Sequence, residues 1–442
     1  MKVLKFGGTS VGSAERMKAL VSLIRNGEKK IVVLSAMAGT TNNLVEIASF
    51  LRSGDSTSTG KVLNDLRLRY RQVIDELFTT EEYRAKALEI TEFHFDYIGR
   101  FQPAGFHIKQ EKAILAQGEL LSTNLFFFYL QETGVSSCLL PALNFMRIDK
   151  DGEPDYFYIS ENITRELEKC GDSELIITQG FICRNAQGDI DNLKRGGSDY
   201  TASIIGAVTS AEEIQIWTDI SGFHNNDPRY VTGTTVIREL SFDEAAELAY
   251  FGAKILHPST IIPACERNIP VILKNTLEPE DPGTIITTVT KPEDYKAVAA
   301  KDGITVLRIT SDRMLMAYGF IRKVFEVFEI YRTPIDMIAT SEVSVSLTTD
   351  FTDNIGEIER ELSRLGSVEI ENNQTIICIV GDFRTEKTGS APEIFEALNN
   401  LPVKMISYGA SRNSISILVD GAHKIEALKS LHKHLFPAKN VQ

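Results

Sequence analysis

The sequence constrains its fold most strongly through one pattern used repeatedly: a short apolar run that ends in small or glycine-rich residues and gives way to helical spacing. Lys2-Val3-Leu4-Lys5-Phe6 runs into Gly7-Gly8-Thr9-Ser10, after which Met17, Leu20, Val21 and Ile24 recur as the buried stripe of a helix would. Residues 31–34 are β-branched and apolar, and they lead through Ser35-Ala36-Met37-Ala38-Gly39-Thr40-Thr41-Asn42 to a helical segment at 44–51. A second glycine pair, in Leu193-Lys194-Arg195-Gly196-Gly197-Ser198-Asp199, opens a helix predicted over 200–208. The apolar run 213–217 delivers Thr218 and Asp219 to a polar loop at 220–229. Strands alternating with helices in this way build a mostly parallel sheet between helical layers. The expected fold class is therefore α/β, and ligands of such sheets bind at the loops beyond the strand ends.

The first glycine pair has two readings. Without a Cβ, Gly7 and Gly8 let an anion approach their N–H groups, Thr9 and Ser10 add hydroxyls, and Lys5 can reach the same anion at the mouth of a helix. A tight strand-to-helix turn beside a solvated lysine uses the same residues. The stretch Gly54-Asp55-Ser56-Thr57-Ser58-Thr59-Gly60-Lys61-Val62 resembles a P-loop, but it has one residue too many between its glycines and ends in valine, not Ser or Thr. On residue type alone Glu119 reads as a capping or helix-dipole carboxylate, and Asp199 reads equally as an N-cap.

A formal net charge of -13 argues against a general nucleic-acid or anionic-membrane binder. A phosphate ligand must then be held by a few placed cations. The five cysteines are scattered without metal-ligand spacing, which predicts reduced thiols in a reducing compartment, the cytoplasm by default. No basic-then-apolar leader opens the sequence, and the aromatic-rich apolar run 125–130 is too short to span a bilayer.

Between residues 278 and 296 the composition shifts to Pro, Thr, Glu and Asp, which marks a domain boundary. Beyond it a strand-helix-strand-strand-helix pattern occurs twice with a period of roughly 70 residues, as two small ferredoxin-like sandwiches would require. The expected organisation is a first domain at 1–285, a linker at 286–300 with a possible strand contributed to the C-terminal region, then modules at 301–371 and 372–442.

The ordered set Lys5-Phe6-Gly7-Gly8-Thr9-Ser10, Gly118-Glu119-Leu120-Leu121-Ser122, Arg195-Gly196-Gly197-Ser198-Asp199, Trp217-Thr218-Asp219, Asp227-Pro228-Arg229 and Phe251-Gly252-Ala253-Lys254 resembles the aspartokinases of the amino-acid kinase superfamily. The C-terminal repeats resemble that family's paired ACT modules, with Thr340-Ser341-Glu342-Val343-Ser344-Val345 as a local match. The resemblance implies a three-layer amino-acid kinase fold followed by two ACT modules, in a monofunctional enzyme that moves the γ-phosphoryl group of ATP to the β-carboxylate of L-aspartate with Mg²⁺. By residue, it implies catalytic roles for Lys5 and Asp199 and phosphate contacts for Gly7, Gly8 and Ser10. Thr41, Glu119, Arg195 and Ser198 would hold the substrate, and Thr218, Asp219, His224, Arg229 and Lys254 would hold ATP. No metal site built by the protein alone is implied. Met314, Gly319, Phe320, Asp336, Ser341 and Glu342 match positions for an effector, lysine by the carboxylates present, at the seam of an ACT-paired homodimer. The chain departs from the family pattern at Lys194, where glycine is common, at His224, where tyrosine is, at Ala317, where serine often stands, and at Pro334. A glutamate-type kinase and a catalytically silent amino-acid sensor are the alternatives.

Overall fold

In the computed structural model, residues 1–193, 196–252, 255–314, 318–383 and 389–437 are described. The strands of the first unit are β1 (Lys2–Phe6), β2 (Lys30–Leu34), β3 (Ser137–Leu140), β4 (Leu175–Gln179), the hairpin β5 (Ile182–Arg184) and β6 (Ile190–Asn192), β7 (Ile214–Thr218), β8 (Glu239–Ser241), β9 (Val271–Asn275) and β10 (Thr284–Thr287). Eight of them form one sheet in the order β3-β4-β2-β1-β7-β9-β10-β8. Every pairing in it is parallel except β9 with β10. All five residues of β2 and of β4 are buried, as strands covered by helices on both faces must be.

β1 lies between β2 and β7, so the chain leaves β1 and β2 toward one side of the sheet and returns for β7 on the other. Because these strands are parallel, the loops after β1, β2, β4 and β7 share one edge of the sheet, and the reversal of strand order opens a crevice there. The helices Ser56–Leu77 and Glu81–Gly99 pack against each other, with Tyr70 and Phe95 fully buried edge to face. The stretch Ile108–Glu132 has the length and apolarity to cross a membrane, but 67% of its most apolar window is buried inside the protein, so it serves as a core element. A Cβ on Gly118 would lie 2.8 Å from the Ala36 side chain, so this position must be glycine for the helix Gln117–Glu132 to press against the loop after β2.

The second unit takes in Phe223–Ile237, Asp243–Ile255 and Thr290–Gln442. A single cut near residue 285 does not describe this division. Val231 belongs to the apolar core beneath the C-terminal helices, and the Asn226 amide donates to the Leu428 carbonyl at 3.0 Å, so the 223–237 segment packs with the C-terminal part. The sheet of this unit has six antiparallel strands, β11 (Ala297–Thr310), β12 (Ile338–Thr340), β13 (Ser344–Thr349), β14 (Ser367–Val380), β15 (Val403–Ser407) and β16 (Ser414–Asp420), in the order β12-β13-β11-β14-β16-β15. β11 and β14 pair along their length with register shifts between Lys301 and Val306. The later half of β11 and the earlier half of β14 join β12 and β13 under the helices Phe320–Ile330 and Ile355–Leu362. Their other halves join β15 and β16 under Ser390–Ala397 and Lys424–Leu435. The two sandwiches are thus nested, because residues 297–301, ahead of the first copy, complete the second.

Cys138, in β3, and Cys170, which caps the helix Tyr156–Lys169, form a disulfide with their Cα atoms 5.5 Å apart. This corrects the expectation that all five thiols are reduced and removes the cysteine argument for a reducing compartment; Cys183, Cys265 and Cys378 are not in disulfides. The bridge closes a loop of sequence separation 32, which chain entropy makes worth roughly 3–4 kcal/mol. Reduction should lower the urea midpoint of the wild-type protein and leave Cys138→Ser unchanged. Equal midpoints with and without dithiothreitol would remove the bridge from the stability of this edge.

Candidate active site

A cavity of about 560 Å³ opens at the shared carboxyl edge of the first unit's sheet. Four strand ends and three helix starts build it, Glu119 entering from the first turn of the helix Gln117–Glu132. The loop after β1 contributes Gly7, Gly8 and Thr9, the loop after β2 contributes Ser35 to Gly39, Phe181 comes after β4, and Thr218 and Asp219 stand at the end of β7. The helix Gly197–Thr209 adds Ser198 and Asp199, and the helix Thr40–Ser53 adds Thr41 and Asn42. The loops after β1 and β2 clasp each other: Ala38 N–H donates to the Gly8 carbonyl at 3.0 Å, and a Cβ on Gly8 would stand 2.6 Å from the Ala36 carbonyl oxygen. Gly8 is therefore a glycine of close approach.

The Lys5 ammonium lies 2.7 Å from Asp199 Oδ1, with the two side chains 12% and 11% exposed, as an ion pair more than a directed hydrogen bond. The Gly7 N–H is already donated to the Trp217 carbonyl at 3.1 Å, so it is not available to a phosphate. Gly7 instead leaves room, since a Cβ there would be 3.7 Å from the Lys5 ammonium. Among the described residues, the Gly8 N–H has no protein acceptor and remains the free donor of the pair.

Glu119 is the most perturbed acid of the site. Its Oε1 accepts the Ala36 N–H at 3.2 Å, while Oε2 is buried and has no partner among the described residues. Burial pushes its carboxyl up to about 8, against the pull of the Ala36 hydrogen bond and the Lys5 charge. An unpaired buried carboxylate that borders a cavity is a ready partner for a ligand ammonium.

Of the other residues singled out in the sequence, Thr41, Ser198, Thr218 and Asp219 all line the cavity. Ser10 does not. It is buried, with its hydroxyl 3.4 Å from that of Thr276. His224 and Arg229 belong to the second unit. There His224 Nδ1 lies 3.3 Å from the Thr234 hydroxyl, burial holds its imidazole below the ordinary value, and Arg229 is paired with Asp227 at 2.6 Å. Arg195 and Lys254 lie outside the described residues. In the second unit Met314 and Phe320 pack in the core under β11 and β13, and Gly319 caps the helix Phe320–Ile330 at φ 80°. The Asp336 side chain is fully buried, whereas Ser341 and Glu342 are exposed between β12 and β13. Sequence reasoning missed Phe181, a non-glycine residue at φ 65° whose N–H donates to the Thr201 hydroxyl at 3.0 Å. Neither its residue type nor its spacing signals a site; only the position after a central strand does.

The Glu119 shift fixes the sign of a pH effect. An acid whose pKa is raised on folding favours the native state while protonated, so its contribution is full below the unfolded value and is lost as pH rises toward about 8. Glu119→Gln should accordingly stabilise the ligand-free protein by a few kcal/mol at pH 8.5 and by little at pH 4.5. Urea unfolding at the two pH values tests this, and an equal effect at both would contradict it.

Residues 1–275 match the Amino acid kinase family and residues 377–435 match an ACT domain. The chain is 34% identical to the lysine-sensitive aspartokinase 3 of Escherichia coli (strain K12), over 98% of this chain and 99% of that protein. It is also 34% identical to the chloroplastic aspartokinase 3 of Arabidopsis thaliana, over 98% and 81% of the two. The fold is similar to E. coli aspartokinase III in complex with aspartate and ADP, with a TM-score of 0.86 at 32% identity and coverage of 99% of this chain and 100% of that one. For the same enzyme in complex with lysine and aspartate the TM-score is 0.81 at 32% identity, with 99% of each covered. A parallel sheet with its crevice at β1, a lysine paired to an aspartate beside that crevice, and likeness along almost the whole sequence agree: the chain belongs to the amino acid kinase family, among its aspartokinases.

Proposed function

We propose that the cavity at the end of β1 transfers the γ-phosphoryl group of ATP to the β-carboxylate of L-aspartate, giving 4-phospho-L-aspartate and ADP, the first step toward lysine, threonine and methionine. The observation that carries this is the pairing, around one cavity, of a cation held by a carboxylate, Lys5 with Asp199, and an uncommitted acid, Glu119. An aspartate side chain has an unperturbed pKa of about 3.9, so the nucleophile is already ionised and needs no general base. What the protein must supply is alignment and positive charge where two anions meet.

Lys5 and the Gly8 N–H are assigned to the transferring phosphoryl group, with Asp199 orienting Lys5. Glu119 takes the substrate ammonium, Arg195 its α-carboxylate in a two-pronged contact, and Thr41 and Ser198 border the same ligand. Thr218 and Asp219 are assigned to the nucleotide; for His224, Arg229 and Lys254 that role rests on the sequence match alone. Mg²⁺ travels with ATP and, when bound, neutralises phosphate charge. Asp199 and Asp219 are the cavity carboxylates that would suit so hard a cation.

The proposal extends to the C-terminal modules. The E. coli relative is named lysine-sensitive and was crystallised with lysine; here the buried Asp336 carboxylate offers the matching charge, and inhibition by L-lysine is inferred. Homodimer formation through the first module is supported by β12, an edge strand, and by Ile321 and Phe325, four apart on one helix face and about 40% exposed.

A hydroxamate assay with ATP and Mg²⁺ should give product from aspartate and not from glutamate, and less of it when lysine is added. Product from glutamate alone would point to a glutamate-type kinase, and product from neither to a silent sensor. Lys5→Ala should cut kcat roughly a hundredfold or more with the fold unchanged by circular dichroism; near-normal turnover would take Lys5 out of the mechanism. Phe325→Asp should shift the light-scattering mass to that of a monomer, and an unchanged mass would move the interface elsewhere.

A further inference from the structure

Within the second unit, residues 243–250 form most of the helix Phe242–Tyr250, and this segment is tied down at both ends. In its first turn Glu244 pairs with Lys296 at 2.8 Å, the side chains 7% and 1% exposed, and Lys296 also donates to the Thr290 hydroxyl at 3.0 Å. At its last residue the Tyr250 hydroxyl donates to Asp336 Oδ1 at 2.5 Å. The Lys301 ammonium donates to the same oxygen at 2.7 Å, reaches Asp350 at 3.0 Å, and stands 4.3 Å from the centre of the Tyr250 ring. Two residues on, Gly252 sits at φ 133°, where a Cβ would meet the Ala300 carbonyl oxygen at 2.1 Å, so the backbone there presses against β11 next to Lys301.

The two anchors differ in kind. Glu244 and Lys296 are sealed from water, and breaking such a pair strands a buried charge. The Asp336 side chain is also buried, but among the described residues its Oδ2 has no partner, while Oδ1 holds two donors. An incoming ammonium would meet Oδ2, placing two like charges on one carboxylate. Lys301 has somewhere to go, because Asp350 is already within ion-pair distance.

We propose that Asp336, Lys301 and Tyr250 form a lock opened by the effector: without effector, Asp336 holds the end of the helix through Tyr250, and the ammonium of the bound amino acid displaces Lys301 toward Asp350 and frees the Tyr250 hydroxyl. The Glu244–Lys296 pair keeps the first turn fixed, so the change is confined to the last turn and the residues just past it. The identity of the opener rests on the lysine assignment above; the lock itself does not.

Hydrogen exchange on the full-length protein separates the two. In effector-free Tyr250→Phe, which keeps the ring and loses the hydroxyl, amides of residues 247–252 should exchange at least fivefold faster than in wild type, with peptides from β1 and β2 unchanged. Wild-type exchange at 247–252 in this variant would overturn the lock. Saturating L-lysine should produce the same acceleration in the wild-type protein. Lysine affinity by calorimetry should rise at least threefold in Lys301→Met, which removes the competing ammonium, and return to the wild-type value in Lys301→Arg; unchanged or weaker binding in Lys301→Met would refute the displacement. If lysine neither binds nor inhibits the wild type while Tyr250→Phe still loosens the helix end, the effector assignment falls and the lock stands.

Discussion

Parallel pairing of β1 with β2 on one side and β7 on the other is the constraint that creates the site. Parallel strands need helical crossovers, and crossovers that leave β1 in opposite directions part at its carboxyl end. The crevice there exists whatever residues fill it. What the sequence adds is a residue set compact enough to exploit it: glycine where loops touch, lysine in the strand so that its stem is gripped by the sheet, and a helix mouth bearing an aspartate opposite. The Gly7 N–H is bonded to the carbonyl of Trp217, which continues the β1–β7 ladder one residue past the end of β1. That bond fixes the direction in which the loop departs and leaves the Gly8 N–H, among the described residues, without a protein acceptor at the cavity.

Charge placement in the cavity is economical for a protein of net charge -13. Bringing two anions together requires local cations, yet a lone buried cation would carry a large desolvation cost. Pairing Lys5 with Asp199 meets both demands, since the carboxylate compensates the ammonium while no substrate is bound and can orient it when one is. Glu119 is handled in the opposite way. Burial raises its carboxyl to about 8, so a nearby cation would favour the ionised form that burial alone disfavours.

Much of this was legible in the sequence, for physical reasons that differ by element. The strands β1, β2 and β7 announce themselves by continuous apolar runs, because both faces are buried, and the small-residue loops after them mark the sheet's active edge. Lys5 stands out as a charge within an apolar strand, whereas Glu119, Ser198 and Asp199 are ordinary types for a helix start and were singled out only by the family resemblance. Phe181 was signalled only by its position after a central strand, and its left-handed backbone is visible in the fold alone. Gly7 and Gly8 looked equivalent in the sequence, and only the hydrogen-bond pattern separates them. Ser10 was misleading in another way: a hydroxyl beside a glycine pair suggests a ligand contact, but it points into the protein toward Thr276. The disulfide was hidden because Cys138 and Cys170 lie 32 residues apart with nothing local to link them.

The nested C-terminal sheet is the feature that a linear reading of repeats is least able to reach. Period and pattern identify two copies, but they do not say which strand completes which sandwich, because β11 and β14 each continue through both. Sharing strands has an energetic consequence. Each sandwich needs a half-strand whose other half is hydrogen-bonded in its neighbour, so neither can detach without breaking the ladder of both, and the pair should behave as one cooperative body. The register shift between Lys301 and Ile304 falls where the two sandwiches meet along β11. Lys301 thus stands at the last regular pair of one sandwich while its ammonium reaches Asp336, just before β12 of the other. A ligand that moves that side chain acts at the junction and not at a free edge, which is where a small local change can be felt by both sandwiches.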